Sequence, residues 1–203
     1  MLELMLFCAL LAAFELDTTY MGQFMLSRPL IVGGVFGYLT GNLFLGLQIG
    51  VFTELIYLDF NPIGGVVPPS GAISAGAAVL MAHFFGLPAY FAFFAGIICG
   101  ILFSFVEKRI RIMRAHVLRR AEAALIDGAL SPAALMAQSL LFQFLAVFGF
   151  LLIMFTLAGP LAAYGAFAAP EKMRIAFQFS YFVVPWMGLA MMFISFSTKP
   201  KTD

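Results

Sequence analysis

The sequence predicts an all-α integral membrane protein. It has about six membrane segments, including a Pro/Gly-broken re-entrant hairpin, plus a basic amphipathic cytoplasmic helix. Three observations carry this. The 203 residues are 63% hydrophobic and 10% charged, outside the range of soluble domains. A bilayer core takes about 20 apolar residues per helix, so the length allows about five to seven crossings and no separate soluble domain. Second, the stretch LQIGVFTELIYLDFNPIGGVVPPS, Leu47 to Ser70, sets Glu54, Asp59 and Asn61 in apolar sequence. It then breaks the backbone with Pro62, Gly64, Gly65, Pro68 and Pro69. A carboxylate at membrane depth costs about 2.5–3.5 kcal/mol on insertion scales, so it needs a partner or a purpose. Broken backbone there is tolerated only where protein buries it or a cavity solvates it. Third, six of the eleven basic residues fall between Lys108 and Arg120, and short Lys/Arg-rich loops stay in the cytoplasm.

Taken in order, MLELMLFCALLAAFELD contains Glu3 and no basic leader, so it is expected to be a retained membrane segment rather than a cleaved signal. Cys8 and Cys99 lie in separate apolar runs and are expected to act as small hydrophobes. The first segment, about 1–20, ends in Glu15, Asp17, Thr18, Thr19 and Tyr20. Its carboxylates are expected in interfacial water, with a polar path as the alternative. Ser27 is expected to N-cap the next helix, with Pro29 at its first position. Gly33, Gly37 and Gly41 recur every four residues, and Gly46 and Gly50 follow at that interval. Small residues on one face predict a tight helix–helix seam. GGVFG lacks the following Lys and strand context of a nucleotide loop.

Past the hairpin, GAISAGAAVLMAHFFGL is again built of small residues. His83 near its end has no His or Cys companion, and is read as an interfacial hydrogen-bonding group; neither metal nor cofactor is expected. Pro88 opens a segment with Gly96 and Gly100 spaced for packing, which stops at Glu107. In the basic block, Ile110, Met113, Val117 and Leu118 recur at helical spacing, predicting an amphipathic helix on the inner surface that ends at Asp127-Gly128. That apolar stripe between membrane segments argues against nucleic acid. Ser131-Pro132 begins a helix that carries Gln138 and Gln143 and runs to Gly159-Pro160. A small-residue loop is expected over about 158–170, then a last segment over about 175–196. Two crossings put the basic block and the basic C-terminus on the same, cytoplasmic side. The organisation expected is one membrane domain over 1–203: a Gly-rich core to 106, a cytoplasmic linker over 107–128, and two C-terminal helices over 129–203.

Glu54 and Asp59 do not share a helical face if the helix continues, but converge if it breaks near Asp59. Carboxylates and a carboxamide suit a polyhydroxylated ligand, and equally cation coordination or proton relay. The structural alternative is that Glu54 pairs with Arg28 in a buried salt bridge.

The run SRPL, a small-residue helix, then IGVFTELIYL and IGGVVPPSGAISA, resembles the membrane subunit IIC of the mannose/fructose/sorbose family of the bacterial phosphotransferase system. Arg28, Pro29, Gly50, Glu54, Leu58, Ile63, Gly64 and Pro69 match the family pattern in order and spacing, specifically over about 20–85. The departures are Val51 and Asp59 for glycines, Pro62 for Asn (with Asn61 adjacent), Ser70 for Asp, and Gln23 for an acid. The chain is about two membrane segments shorter than the resemblance leads one to expect.

The resemblance implies a sugar-permease subunit of the bacterial inner membrane, not itself an enzyme. It would bind a hexose or amino sugar and move it by an elevator-like motion, beside a IID-like membrane subunit in a larger oligomer. Cytoplasmic IIB and IIA proteins would carry the phosphoryl chemistry. Glu54, Asp59, Asn61, Ser70 and Gln23 would bind the sugar, supported by Arg28, Pro29, Gly64 and Pro69. His116, in the basic helix, is read as a surface residue. The altered polar set and the short end support a second-ranked reading, a non-transporting scaffold or regulatory subunit. An intramembrane enzyme or ion-coupled carrier ranks last, because no second catalytic partner accompanies Glu54 and Asp59.

Overall fold

The computed structural model describes residues 1–18, 22–58, 67–126 and 131–197. Every regular element among them is helical: α1 (Leu2–Leu16), α2 (Pro29–Leu39), α3 (Leu43–Ile56), α4 (Gly71–Phe85), α5 (Ala89–Ile126), α6 (Pro132–Ile153), a π-helical turn (Met154–Ala158), α7 (Gly159–Ala168) and α8 (Glu171–Ser197).

The organising element is α4. All ten residues from Ala72 to Met81 are buried, as befits a helix apolar on every face. Its side chains are mostly small, so neighbouring backbones come close. Gly96 and Gly100 of α5 lie against it; a Cβ on Gly100 would fall 2.6 Å from the Ser70 carbonyl oxygen. A Cβ on Gly76 would collide with Leu11 of α1. Around this post, α2 packs on α3, α1 bridges α4 and α6, and α8 lies against α3 and α5.

The α2–α3 seam is the glycine contact the spacing predicts. A Cβ on Gly37 would sit 2.8 Å from Gly46 Cα, and one on Gly50 would sit 2.7 Å from the Pro29 carbonyl oxygen. Gly41 continues the four-residue interval but lies outside the seam. Its φ of +76° forms the turn between the two helices, where no Cβ-bearing residue sits comfortably.

Three stretches are long and apolar enough to cross a bilayer: Ala89–Ala115, Pro132–Ala168 and Glu171–Ile194. In contrast, α2, α3 and α4 have 11, 14 and 15 residues, which at 1.5 Å per residue span about 17–22 Å. Of the about six membrane segments expected, three stretches among the described residues have the length and composition to cross, with shorter apolar helices stacked beside them. The long helices expose Phe179, Phe182, Trp186, Phe193 and Phe196 along α8, and Leu157, Leu161 and Tyr164 on the Pro132–Ala168 stretch.

Three expectations about the elements are corrected. The basic block is not a separate surface helix: α5 runs unbroken from Ala89 to Ile126. No Pro or Gly interrupts it after Gly100, and Glu107 bonds Arg111 one turn on. The expected Asp127-Gly128 stop lies outside the described residues. The loop expected over 158–170 is mostly helix. Pro160 stands in the first turn of α7, directly after the π turn, where its missing N–H costs little. Finally, Ser27 does not cap α2. Arg28 holds the N-cap position without a side-chain cap bond, and the Ser27 N–H donates to Asp17 Oδ2 at 3.3 Å.

Candidate functional site

The helix ends around the start of α4 build a polar site. Ser70 is the N-cap: its Oγ accepts from the Ile73 N–H at 3.2 Å and donates to Glu15 Oε2 at 2.7 Å. One hydroxyl thus satisfies a helix end and a buried carboxyl group together. Below it, Ser74 Oγ donates to the Ser70 carbonyl at 2.8 Å and lies 3.0 Å from the Tyr57 hydroxyl. Pro29 closes against Gly71, where a Cβ would fall 2.6 Å from the Pro29 ring.

Glu15 is 6% exposed and Asp17 5% exposed, so neither sits in interfacial water as expected. Asp17 organises the segment after α1 by accepting the Phe24 N–H at 2.8 Å as well as that of Ser27. Those bonds hold Gln23 and Met25 at positive φ, +51° and +65°, a conformation that costs an L-residue about 1–2 kcal/mol. Gln23 itself points outward, exposed.

A second cluster faces Glu15 from α5 and α6. Glu107 is buried; its Oε1 accepts from Arg111 Nε at 2.9 Å and its Oε2 accepts from Gln143 Nε2 at 2.7 Å. Arg114 donates to Gln143 Oε1 on the far side of that amide. Between these clusters lies a cavity of about 290 Å³, with Glu15, Arg28, Pro68, Pro69, Ser70, Glu107, Arg111 and Gln143 in its wall. Carboxyl groups from α1 and α5 face guanidinium groups from the start of α2 and from α5.

Of the residues expected at the site, Ser70, Arg28, Pro29 and Pro69 line this cavity. Asp59, Asn61 and Gly64 lie outside the described residues. Glu54 stands just behind the rim. Its Oε1 accepts from Arg28 Nη1 at 3.3 Å, and its Oε2 accepts from the Leu30 N–H at 3.1 Å in the first turn of α2. The pairing alternative is thus realised, but as a half-exposed pair rather than a buried one, with side chains 29% and 58% exposed. The helix does end before Asp59: α3 stops at Ile56, capped by Tyr57. His83, at the other end of α4, lies 3.7 Å from Glu3 and packs edge-on against Phe84. Among the described residues, no group of three or more His, Cys, Asp and Glu is placed to hold a metal ion.

Glu107, Arg111 and Gln143 are the site residues that sequence reasoning passed over, and Glu15 follows the polar-path alternative rather than the interfacial placement expected. Glu107 and Arg111 were legible only as a helical i, i+4 pair. Nothing local marks Gln143, whose carboxylate partner is 36 residues away.

Short helices gathered on a buried post, long apolar stretches beside them and a polar cavity at one end define a polytopic helical membrane protein. The family model for the phosphotransferase-system sorbose-specific IIC component matches residues 2–200. The chain belongs to that family and is a sugar phosphotransferase-system IIC component. The match extends the likeness seen over 20–85 to nearly the whole chain. Comparison with curated proteins returned no match.

Proposed function

We propose that this chain is the sugar-translocating subunit of its phosphotransferase system and that the cavity beside Ser70 receives the sugar. The observation that carries this is the balance of the cavity wall. Two carboxyl groups, two guanidinium groups, four hydroxyls and a carboxamide supply both acceptors and donors. Such a set favours a neutral polyhydroxylated ligand over an ion. The volume, about 290 Å³, suits a monosaccharide. Asp59 and Asn61, outside the described residues, stay in the proposed set for their polar chemistry in apolar sequence, while Glu54 holds Arg28 at the rim.

A second cavity, about 330 Å³, lies at the opposite end of α4 against Thr40, Asn42 and His83. Packed side chains such as Phe36, Ile49 and Leu80 are buried in the core between these ends. Polar cavities at both ends of a closed core support a carrier with access from alternate sides. The basic end of α5 is assigned to the cytoplasm by its charge, so the Ser70 cavity faces the side where a IIB protein phosphorylates the sugar. The exposed apolar faces of α7 and α8 are assigned to lipid and a IID-like subunit within an oligomer. The division into a core to 106, a basic linker and two C-terminal helices is kept, with the linker continuous with the helix before it.

The test is sugar binding by the purified chain, co-expressed with its IID-like partner, measured by calorimetry across hexoses and amino sugars. Saturable binding that is lost in Glu15→Gln and Ser70→Ala establishes the site. The replaced family residues at Val51, Pro62 and Ser70 favour a second reading, a scaffold without transport. A well-folded complex that binds no sugar selects it.

A further inference from the structure

We propose that Glu107 is a sugar-contacting, specificity-determining residue and that Gln143 is the positioning residue that aims it. This rests on the reading of the cavity as the sugar site. Glu107 is 5% exposed and Gln143 1% exposed, yet both reach the cavity wall. The Gln143 amide has no rotational choice. Its NH₂ must face the Glu107 carboxylate, because its carbonyl oxygen takes the Arg114 guanidinium. Arg111 holds the other carboxylate oxygen at 2.9 Å. The carboxylate is thereby fixed from α5 and α6 together, opposite Glu15 and Ser70 across the cavity.

A purely structural ion pair has no need to border a cavity, and burying the Glu107 carboxylate while its Arg111 partner stays 44% exposed is costly. A preorganised carboxylate at a ligand wall is what recognition of a particular hydroxyl requires, since a substrate lacking that hydroxyl leaves the acceptor unmatched. Glu107 and Gln143 lie at the middle of α5 and in α6. Specificity is therefore written partly by the C-terminal half of the chain, outside the Gly-rich motif region.

The experiment is calorimetric titration of D-mannose, D-fructose, L-sorbose and D-glucosamine, and of the monodeoxy analogues of whichever binds, into the chain with its membrane partner. Glu107→Gln is expected to weaken the parent sugar about tenfold or more. It is expected to leave the affinity of one monodeoxy analogue unchanged, because that analogue has already lost the contact. The exchange Glu107→Gln with Gln143→Glu keeps one amide and one carboxylate in hydrogen-bond contact and keeps Arg114 paired. It is expected to restore folded yield and thermal stability without restoring affinity. Glu107→Asp serves if the exchange does not assemble: it retains the charge, draws it back by one methylene, and is expected to show the same analogue-specific loss. An equal loss for every analogue, or wild-type affinity in the exchanged protein, overturns the inference and makes the cluster structural. Loss of binding in Glu15→Gln and Ser70→Ala with none at Glu107 overturns this inference alone. No sugar bound by the wild-type complex overturns it together with the reading of the cavity.

Discussion

Glu54 accepts the Leu30 backbone N–H at 3.1 Å, and so caps a helix that begins 25 residues before it in the chain. The same carboxylate takes the Arg28 guanidinium at 3.3 Å. A side chain that reads as a ligand group in sequence thus also fastens α2 onto α3. Because the pair is half exposed, its charge contributes little, about 0–1 kcal/mol, and most of its effect is the cap.

Glu54→Gln keeps an acceptor for Leu30 and is expected to leave folded yield nearly unchanged. Glu54→Ala removes it and is expected to cost about 0.5–2 kcal/mol, the range of lost N-caps. Thermal unfolding in detergent separates the two. Sugar titration of the folded Glu54→Gln protein tests a further role: lost binding returns Glu54 to the sugar site, and unchanged affinity confines it to the cap.

At the α2–α3 seam, Gly46→Ala is expected to prevent assembly, because the new methyl would overlap the Gly37 and Gly33 backbones and neither helix can retreat. Overpacking of this kind costs about 1–3 kcal/mol or more. Gly149→Ala in α6 meets no atom within 4 Å, and is expected to be neutral or to gain up to about 1 kcal/mol from helix propensity. Equal folded yields of these two variants would show that the seam is not formed.

Ser70 and Glu15 make a sharper pair. Ser70→Ala removes both the cap on Ile73 and the donor to Glu15, with an expected loss of about 1–3 kcal/mol. Ser70→Asp keeps the cap but sets a second carboxylate against Glu15. It is expected to be less stable than wild type at neutral pH and to be rescued by Glu15→Gln. Melting temperatures of the four proteins form a double-mutant cycle. Additive effects would mean that the two side chains do not meet.

The orientation of the chain is open to direct labelling. Cys8 and Cys99 are buried, so single cysteines introduced at exposed positions report alone. Ala133→Cys at the start of α6 is expected to react with a membrane-impermeant maleimide only from the cytoplasmic side, and Glu171→Cys at the start of α8 only from the outside. Labelling in the reverse sense overturns the assignment made from Lys and Arg.

How far the site could be read from sequence depended on how local its bonds are. The glycine interval at 33, 37, 46 and 50 is a helical period, and it met its partner as expected because close approach needs only the absence of a Cβ. Gly41 was misplaced, since the same interval fits a turn. Glu15 and Asp17 were expected in water on the ground that carboxylates at a helix end are usually solvated. Ser70, 55 residues on, and the N–H groups of Phe24 and Ser27 hold them inside instead. Arg111 and Arg114 read as topology markers, and so they can be. No spacing rule shows that both also meet a cluster whose carboxylate and amide sit on different helices.

By itself the sequence determined the membrane setting, the helical class, the Gly-packed seam and the family pattern around Arg28-Pro29 and Glu54. Each rests on composition or on a period shorter than two helical turns. Only the tertiary structure decided that α4 is the buried post and that α5 runs unbroken through the basic block. It likewise decided that Glu15, Ser70, Glu107 and Gln143 enclose one cavity. Hydrogen bonds between residues tens of positions apart form once the backbones have packed, and the packing depends on every small residue along the seams at once.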